Sequence, residues 1–290
     1  MDNKTYHQNK QHLVDVFQET VKTVIEGHYT APNGIVVELG PDREMRENSC
    51  FYSSRFTIRD IPAHKEPTSV ELITTDSISA GKRLLDEGYN PAVLNFANRH
   101  NAGGGVLKGC RAQEESLFRC TNLFRSLFQF MPFAKQYEVE MNQCQYPLDR
   151  RFGGVYTPYA TVFREYSRGK DYEFLPHSFK LSFIGVAALD RRHSGCDKTT
   201  PLSFHDVEIT LSKMRTIFRI GIIHGHDALV LGAFGCGAFL NPPQQIAELF
   251  KQVMNEPEFK NKYRKIVFPV FDNHNVHGVS NYDAFKNVFG

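Results

Sequence analysis

Apolar positions along the chain recur with two periods, and the alternation between them predicts the architecture. Val14, Phe17, Val21 and Val24 fall at helical spacing and predict an N-terminal helix. GIVVEL (34–39), entered through the turn-prone Pro32-Asn33-Gly34, reads as a strand, and VELIT (70–74) as another. Ser77 to Glu87 reads as a helix closed by Gly88. PAVLNFA (91–97) is an apolar run of strand length, the pattern of a strand covered on both faces.

Leu117, Cys120, Phe124, Leu127 and Met131 then repeat at three- and four-residue intervals, which predicts one buried helix face. Residues 132 to about 176 are rich in Tyr, Arg, Gly and Pro and read as long connections around VYTPYATVF (155–163). Strand character returns in KLSFIGVAAL (180–189). A helix over Asp206–Ile220 and a strand ALVLGAF (228–234) come next. Pro242-Pro243 starts the helix QQIAELFKQVM, because proline is tolerated in a first turn, and KIVFPVF (265–271) is the last strand. Strands alternating with helices predict an α/β sandwich around a mixed sheet. No internal repeat or linker appears, so one domain over 1–290 is expected, with about 1–30 as an N-terminal helical extension.

Composition narrows the function without defining it. The 290 residues are 41% hydrophobic, enough for a sizeable core. Lys plus Arg number 34 against 32 for Asp plus Glu, a net charge of +2, so no electrostatic case exists for a nucleic-acid or membrane-surface protein. No secretory leader or membrane-spanning run is visible. The six cysteines show no CxxC spacing and fit a reduced, intracellular chain. A cytoplasmic monomer is expected; export by a dedicated secretion system without a cleavable signal is the alternative. His224 with His226, and His274 with His277, raise the question of a metal. No cysteine or carboxylate completes a site at ligand spacing, so neither metal nor redox cofactor is expected. The pairs Arg150-Arg151 and Arg191-Arg192 read as solvated surface.

Chemistry concentrates at 101–120, NAGGGVLKGCRAQEESLFRC. Gly103, Gly104 and Gly105 directly follow the buried strand and precede a helix, the place where open α/β sheets put ligands. Glycines there let backbone N–H groups approach an anion, or simply make a tight turn. Neither GxGxxG nor a Walker A loop is present. Glu114 and Glu115 suit a helix start electrostatically. Because consecutive helical residues diverge by about 100°, one could also grip a hydroxyl while the other faces a scissile bond. Glycosidic cleavage needs such a carboxyl to protonate the leaving group. A second glycine loop, ALVLGAFGCGAFLNPP (228–243), repeats the pattern, with Gly235, Cys236, Gly237 and Ala238 in the loop. Phe239 beyond it would pack either in the core or on a ligand.

NFAN (95–98), GGG (103–105) and, after seven residues, QEE (113–115) resemble the signature of poly(ADP-ribose) glycohydrolases of the microbial type, which have a macrodomain fold. GAFGCGAF (232–239) resembles that family's second phosphate loop, and VYTPYATVF and VFDNHN…NYDAF are also similar. The resemblance implies a three-layer α/β/α sandwich and a hydrolase releasing ADP-ribose from poly(ADP-ribose) or ADP-ribosylated protein. It implies Glu115 as the acid that protonates the departing oxygen and then activates water. Glu114, preceded by Gln113 in the motif, and Asn98 would hold the scissile ribose. The Gly103–Gly105 turn and the 235–238 backbone would cradle the diphosphate, with Phe239 on the ribose. Asp76 would take the adenine amino group, although TTDS departs from the usual GDI pattern. A mono-ADP-ribosyl-protein hydrolase and a non-catalytic ADP-ribose reader are the alternatives.

Overall fold

The structure, a computed structural model, describes residues 3–166, 171–271 and 280–290. In chain order its elements are α1 (Asn3–Glu26), β1 (His28–Thr30), β2 (Val36–Glu38), α2 (Arg43–Glu47), β3 (Cys50–Tyr52), β4 (Ser69–Ile73), α3 (Ser77–Asp86), β5 (Pro91–Phe96), α4 (Gln113–Cys120) and α5 (Leu123–Leu127). There follow β6 (Gly154–Arg164), β7 (Phe174–Val186), α6 (Phe204–Ile223), β8 (Ala228–Val230), α7 (Pro243–Met254), β9 (Lys265–Pro269) and α8 (Asn281–Phe289). The fold is mixed α/β, with a seven-stranded sheet in the order β3-β6-β7-β5-β8-β9-β4 and a separate β1-β2 hairpin. β5, β8, β9 and β4 form parallel ladders, Pro91 opposite Ala228, Ala228 opposite Lys265 and Ser69 opposite Lys265. β6 and β7 are joined by too short a link for a parallel crossover and run antiparallel. The sheet is therefore mixed, as the alternation of periods predicts.

The chain divides into two compact units, residues 1–51, 97–147 and 156–183 in the first, and 52–96, 148–155 and 184–290 in the second. In the first unit α1 buries Leu13, Val16, Phe17, Thr20 and Thr23. That stripe is rotated from the predicted one: Phe17 is common to both, while Val14, Val21 and Val24 flank it half-buried. Phe17 packs edge-on to Phe124 with ring centroids 6.1 Å apart, and Phe128 meets Tyr137 at 4.8 Å. Aromatic pairs at such separations add about 0.5–1.5 kcal/mol each beyond area burial.

The helix expected through 117–131 is two helices. Thr121 is extended (φ −140°, ψ 169°) and bridges Val162, while Asn122 donates its N–H to Thr161 O and accepts Thr161 N–H on Oδ1. Those bonds to β6 outcompete the helical ladder. β6 itself runs through the segment expected as connections. It is buried everywhere except at Tyr159, whose φ of 49° marks a local kink after Pro158. Proline and the tyrosines hid a strand that is covered on both faces.

In the second unit β5 is apolar from Pro91 to Leu94 and buried from Pro91 to Asn95, as a strand covered on both faces should be. β8 is shorter than expected, because Gly232 (φ 113°) already turns the chain against Phe96 and the Pro269 carbonyl. Asp76 caps α3 and Ser203 caps α6, each accepting the N–H three residues on. Among the described residues no helix is long and apolar enough to cross a membrane.

Candidate active site

Beyond β5, Asn98 starts an Asx turn, its Oδ1 accepting His100 N–H at 2.8 Å and Asn101 N–H at 3.1 Å. Gly103 and Gly104 follow with φ of 77° and 55°, conformations that glycine adopts without strain. Side chains are excluded as well as disfavoured. A Cβ on Gly104 would lie 2.6 Å from Glu115 Oε1 and 3.0 Å from Glu114 Oε2, and one on Gly105 would lie 2.5 Å from Cys110 Sγ. A 3₁₀ turn over Val106–Lys108 then carries the chain to α4, whose first residue is the half-buried Gln113.

Both glutamates of the first turn of α4 are buried, Glu114 2% and Glu115 6% exposed. Their environments differ. Glu114 accepts Asn98 N–H on Oε2 (2.7 Å) and Gly103 N–H on Oε1 (3.1 Å). Two amides on one carboxylate favour the ionised form. Glu115 accepts Gly105 N–H on Oε1 at 2.8 Å, whereas its Oε2 is buried without a partner. The remaining glycine amide, that of Gly104, donates to Asn101 O. The tight turn thus spends its amides on the protein's own acids and on itself. The buried Tyr146 hydroxyl is held well above its usual range by burial and then by the negative charge of Glu114.

The second glycine loop has different geometry. Gly235 (φ 73°) has no room for a side chain, since a Cβ would lie 2.5 Å from Asn241 Nδ2 and 2.6 Å from Ala188 Cβ. Buried Asn241 donates from Nδ2 to Leu189 O (2.7 Å) and to Gly235 O (3.1 Å), tying the loop base. Cys236 is fully buried, and burial pushes its thiol up, so it is a neutral packing residue. Gly237 and Ala238 are exposed, and among the described residues their amides and that of Phe239 donate to no protein acceptor. Such unspent N–H groups in a turn favour anions.

Phe239 is half-buried rather than core, with the Arg192 guanidinium 5.0 Å from its ring centroid. Arg191 departs from the expected solvated pair. It is buried, its N–H donates to Phe239 O, and its Nη1 donates to Thr200 O (2.9 Å) and Leu240 O (3.2 Å). Asp76 is buried with Oδ1 on Ser79 N–H (2.8 Å) and Oδ2 on Ser79 Oγ (2.6 Å), so both oxygens serve the cap. His224 Nε2 bonds the Tyr52 hydroxyl and His226 Nδ1 bonds Asn90 O; His274 and His277, with the DNHN segment, lie outside the described residues. Sequence reasoning missed Cys110, Tyr146, Arg191 and Asn241. Only Asn241, just before the prolines, sits where a loop anchor is expected.

A buried acid pair gripped by backbone amides thus sits at a helix start, shortly after a strand of a mixed α/β sheet. The chain belongs to the family described as microbial-type PARG, catalytic domain, whose model matches residues 17–165. It is similar to the crystal structure of poly(ADP-ribose) glycohydrolase (PARG) from Thermomonospora curvata, with 26% identity, a TM-score of 0.77 and 96% of this chain and 99% of that one covered. The same enzyme bound to the inhibitor ADP-HPD matches at 26% identity and a TM-score of 0.74, over 95% and 98% of the two chains. The Deinococcus radiodurans PARG in complex with ADP-ribose matches at 25% identity and a TM-score of 0.65, over 87% and 97%. Among curated proteins none matches the chain significantly.

Proposed function

We infer that the protein is a poly(ADP-ribose) glycohydrolase in which Glu115 is the general acid and base. One observation carries the assignment: of the two buried carboxylates, Glu114 has amides on both oxygens and Glu115 on one only. An acid that donates a proton needs one oxygen to receive hydrogen bonds and the other to carry the hydrogen. Glu115 meets that need, with Gly105 N–H on Oε1 and Oε2 open. Glu114 does not, and as a fixed anion it suits ribose hydroxyl groups.

The proposed step is balanced by water. The bond between the anomeric carbon of the terminal ADP-ribose and the linking oxygen breaks. That oxygen takes the proton from Glu115 Oε2, and positive charge develops at the anomeric carbon. The Glu115 carboxylate then takes a proton from water, whose oxygen bonds that carbon. ADP-ribose and a shortened chain leave, and Glu115 is protonated again. Glu114 and the Asn98 side chain orient the ribose, and Gln113 opens the helix that carries both acids. The Gly103–Gly105 turn serves the diphosphate by close backbone approach, its amide hydrogens being committed to the two carboxylates and to the Asn101 carbonyl. The unspent amides of Gly237, Ala238 and Phe239 take the diphosphate oxygens, with the Phe239 ring against the sugar. Asp76 keeps its expected contact to the adenine amino group as a proposal, since each capping oxygen can accept a second hydrogen bond.

Glu115→Gln tests the central role, since the amide keeps the shape and loses the proton. Release of ADP-ribose from the polymer should fall by about 10²–10⁴-fold, the worth of a positioned acid–base group, while calorimetry shows retained ADP-ribose binding. Turnover close to that of the unaltered enzyme would remove the assignment.

A further inference from the structure

We propose that Arg119 is a positioning residue for Glu115, acting through the turn that holds the glutamate; the inference rests on the acid–base reading of Glu115. Arg119 lies one helical turn after Glu115 on α4 and is completely buried. Its Nη2 donates to Cys110 O at 2.7 Å, Cys110 N–H donates to Gly105 O at 3.1 Å, and Gly105 N–H donates to Glu115 Oε1 at 2.8 Å. Three hydrogen bonds, linked through the backbone of Cys110 and of Gly105, therefore connect the guanidinium to the proposed acid. The same guanidinium donates from Nε to Leu13 O in α1 at 3.0 Å, and Thr20 Oγ1 of α1 donates to Arg119 O at 2.6 Å. Behind the turn, Gly109 (φ 67°) sits so close to the Lys10 carbonyl of α1 that no Cβ fits between them. Cys110 Sγ likewise leaves no room for a Cβ on Gly105.

Arg119 thus clamps three parts of the first unit: α1, the 105–110 turn and the helix bearing the acids. Its chemistry is unusual for a packing residue. Both hydrogen bonds go to main-chain carbonyls, and Nη1 is buried with no partner. Burying a charge on such terms is costly, and an apolar side chain would fill the space at less cost. The planar guanidinium is a rigid fork that fixes two carbonyls from different elements at once, which the flexible lysine ammonium does less well. The Tyr172 ring lies 5.6 Å from the guanidinium, and the Tyr172 hydroxyl bonds Ser116 Oγ, the residue after Glu115, which braces the same turn of α4. The N-terminal helix is on this view part of the catalytic apparatus, because its Leu13 carbonyl is one jaw of the clamp.

The test compares wild type, Arg119→Met, Arg119→Lys, Thr20→Val and Glu115→Gln. It measures kcat for ADP-ribose release from polymer and the calorimetric Kd of ADP-ribose. Displacing a catalytic group by about 1 Å can cost on the order of 100-fold, so Arg119→Met should lower kcat about 10- to 100-fold while Kd stays within about threefold. Arg119→Lys, which can reach one carbonyl, should recover part of kcat. A kcat within about twofold of wild type, or equal proportional losses in kcat and in affinity, overturns the inference, since general loosening moves both. If Arg119→Met does not fold, Arg119→Lys decides: it keeps the buried charge but can reach one carbonyl only, and an unchanged kcat overturns the proposal, while Thr20→Val, which spares the guanidinium, should cost less kcat than Arg119→Lys. Failure of the underlying reading shows separately, as Glu115→Gln that still turns over.

Discussion

The two glycine loops are spelled alike and built differently. In Gly103–Gly105 positive φ angles and missing Cβ atoms bring backbone N–H groups onto Glu114 and Glu115, so the loop is a holder for acids. In Gly235–Phe239 the loop base is tied by Asn241 while Gly237 and Ala238 present unspent amides outward. One loop arranges the acid proposed to react, and the other offers unspent donors of the kind that suit an anion. A glycine therefore means different things in the two: at 104 it makes space for a carboxylate, and at 237 it borders open space.

The sharpest way to break this contrast is Gly104→Ala. The new methyl would press on Glu115 Oε1 and Glu114 Oε2, both pinned by amides, and the φ of 55° adds about 1 kcal/mol of strain. Turnover should fall at least about 100-fold, as for other misplaced catalytic groups, and activity near wild type would mean the turn does not position the acids. Asn241→Leu addresses the other loop. It leaves the Leu189 carbonyl without its Nδ2 donor and the Gly235 carbonyl with only the main-chain N–H of residue 241, a loss of about 1–3 kcal/mol. ADP-ribose affinity should weaken about tenfold, the equivalent of 1.4 kcal/mol, with kcat at saturation little changed. A drop in kcat with affinity intact would reverse the division of labour.

A smaller effect is set by pH in the second unit. Burial, with His226 nearby, holds His224 at about 4, below its ordinary value of 6.5. As pH falls the unfolded chain therefore takes up the proton first, so this stabilisation is complete above about 6.5 and drains away toward 4. His224→Gln should lessen the fall in Tm between pH 7 and 4.5 by about 2–4 °C, the shift that 1 kcal/mol gives a chain of this size class. An identical fall in both proteins would show that His224 is not part of the acid sensitivity. The smallest effect expected is that of Gly237→Ala. It has no positive φ and nothing near the new methyl, so stability should stay within about 0.5 kcal/mol by denaturant titration.

Much of this was legible in the spelling. PAVLNFA announced a doubly covered strand because no polar residue interrupts it until Asn95, and GGG-x7-QEE placed the acids on a helix start after that strand. The rest depended on partners far along the chain. Thr121 and Asn122 look helical until β6 offers them bonds, and β6 looks like a loop because Pro158 and Tyr159 break its pattern. The spelling of 103–105 shows that amides come close to an acceptor, but which acceptor depends on how α4 docks. Arg191 and Arg192 are indistinguishable as letters, yet one is buried on three carbonyls and the other lies over Phe239. For Arg119 nothing in its neighbours betrays that its guanidinium reaches back to Leu13.

The winding of the chain has a consequence for how the molecule could be cut. Segments of the two units alternate from residue 1 to 183, with five crossings, so neither exists as a contiguous stretch. A protease nick anywhere from 52 to 147 parts the sequence of both at once. Gene fragments cannot deliver the acid-bearing half by itself, and recombination with a relative would have to exchange at least three separate pieces to replace it.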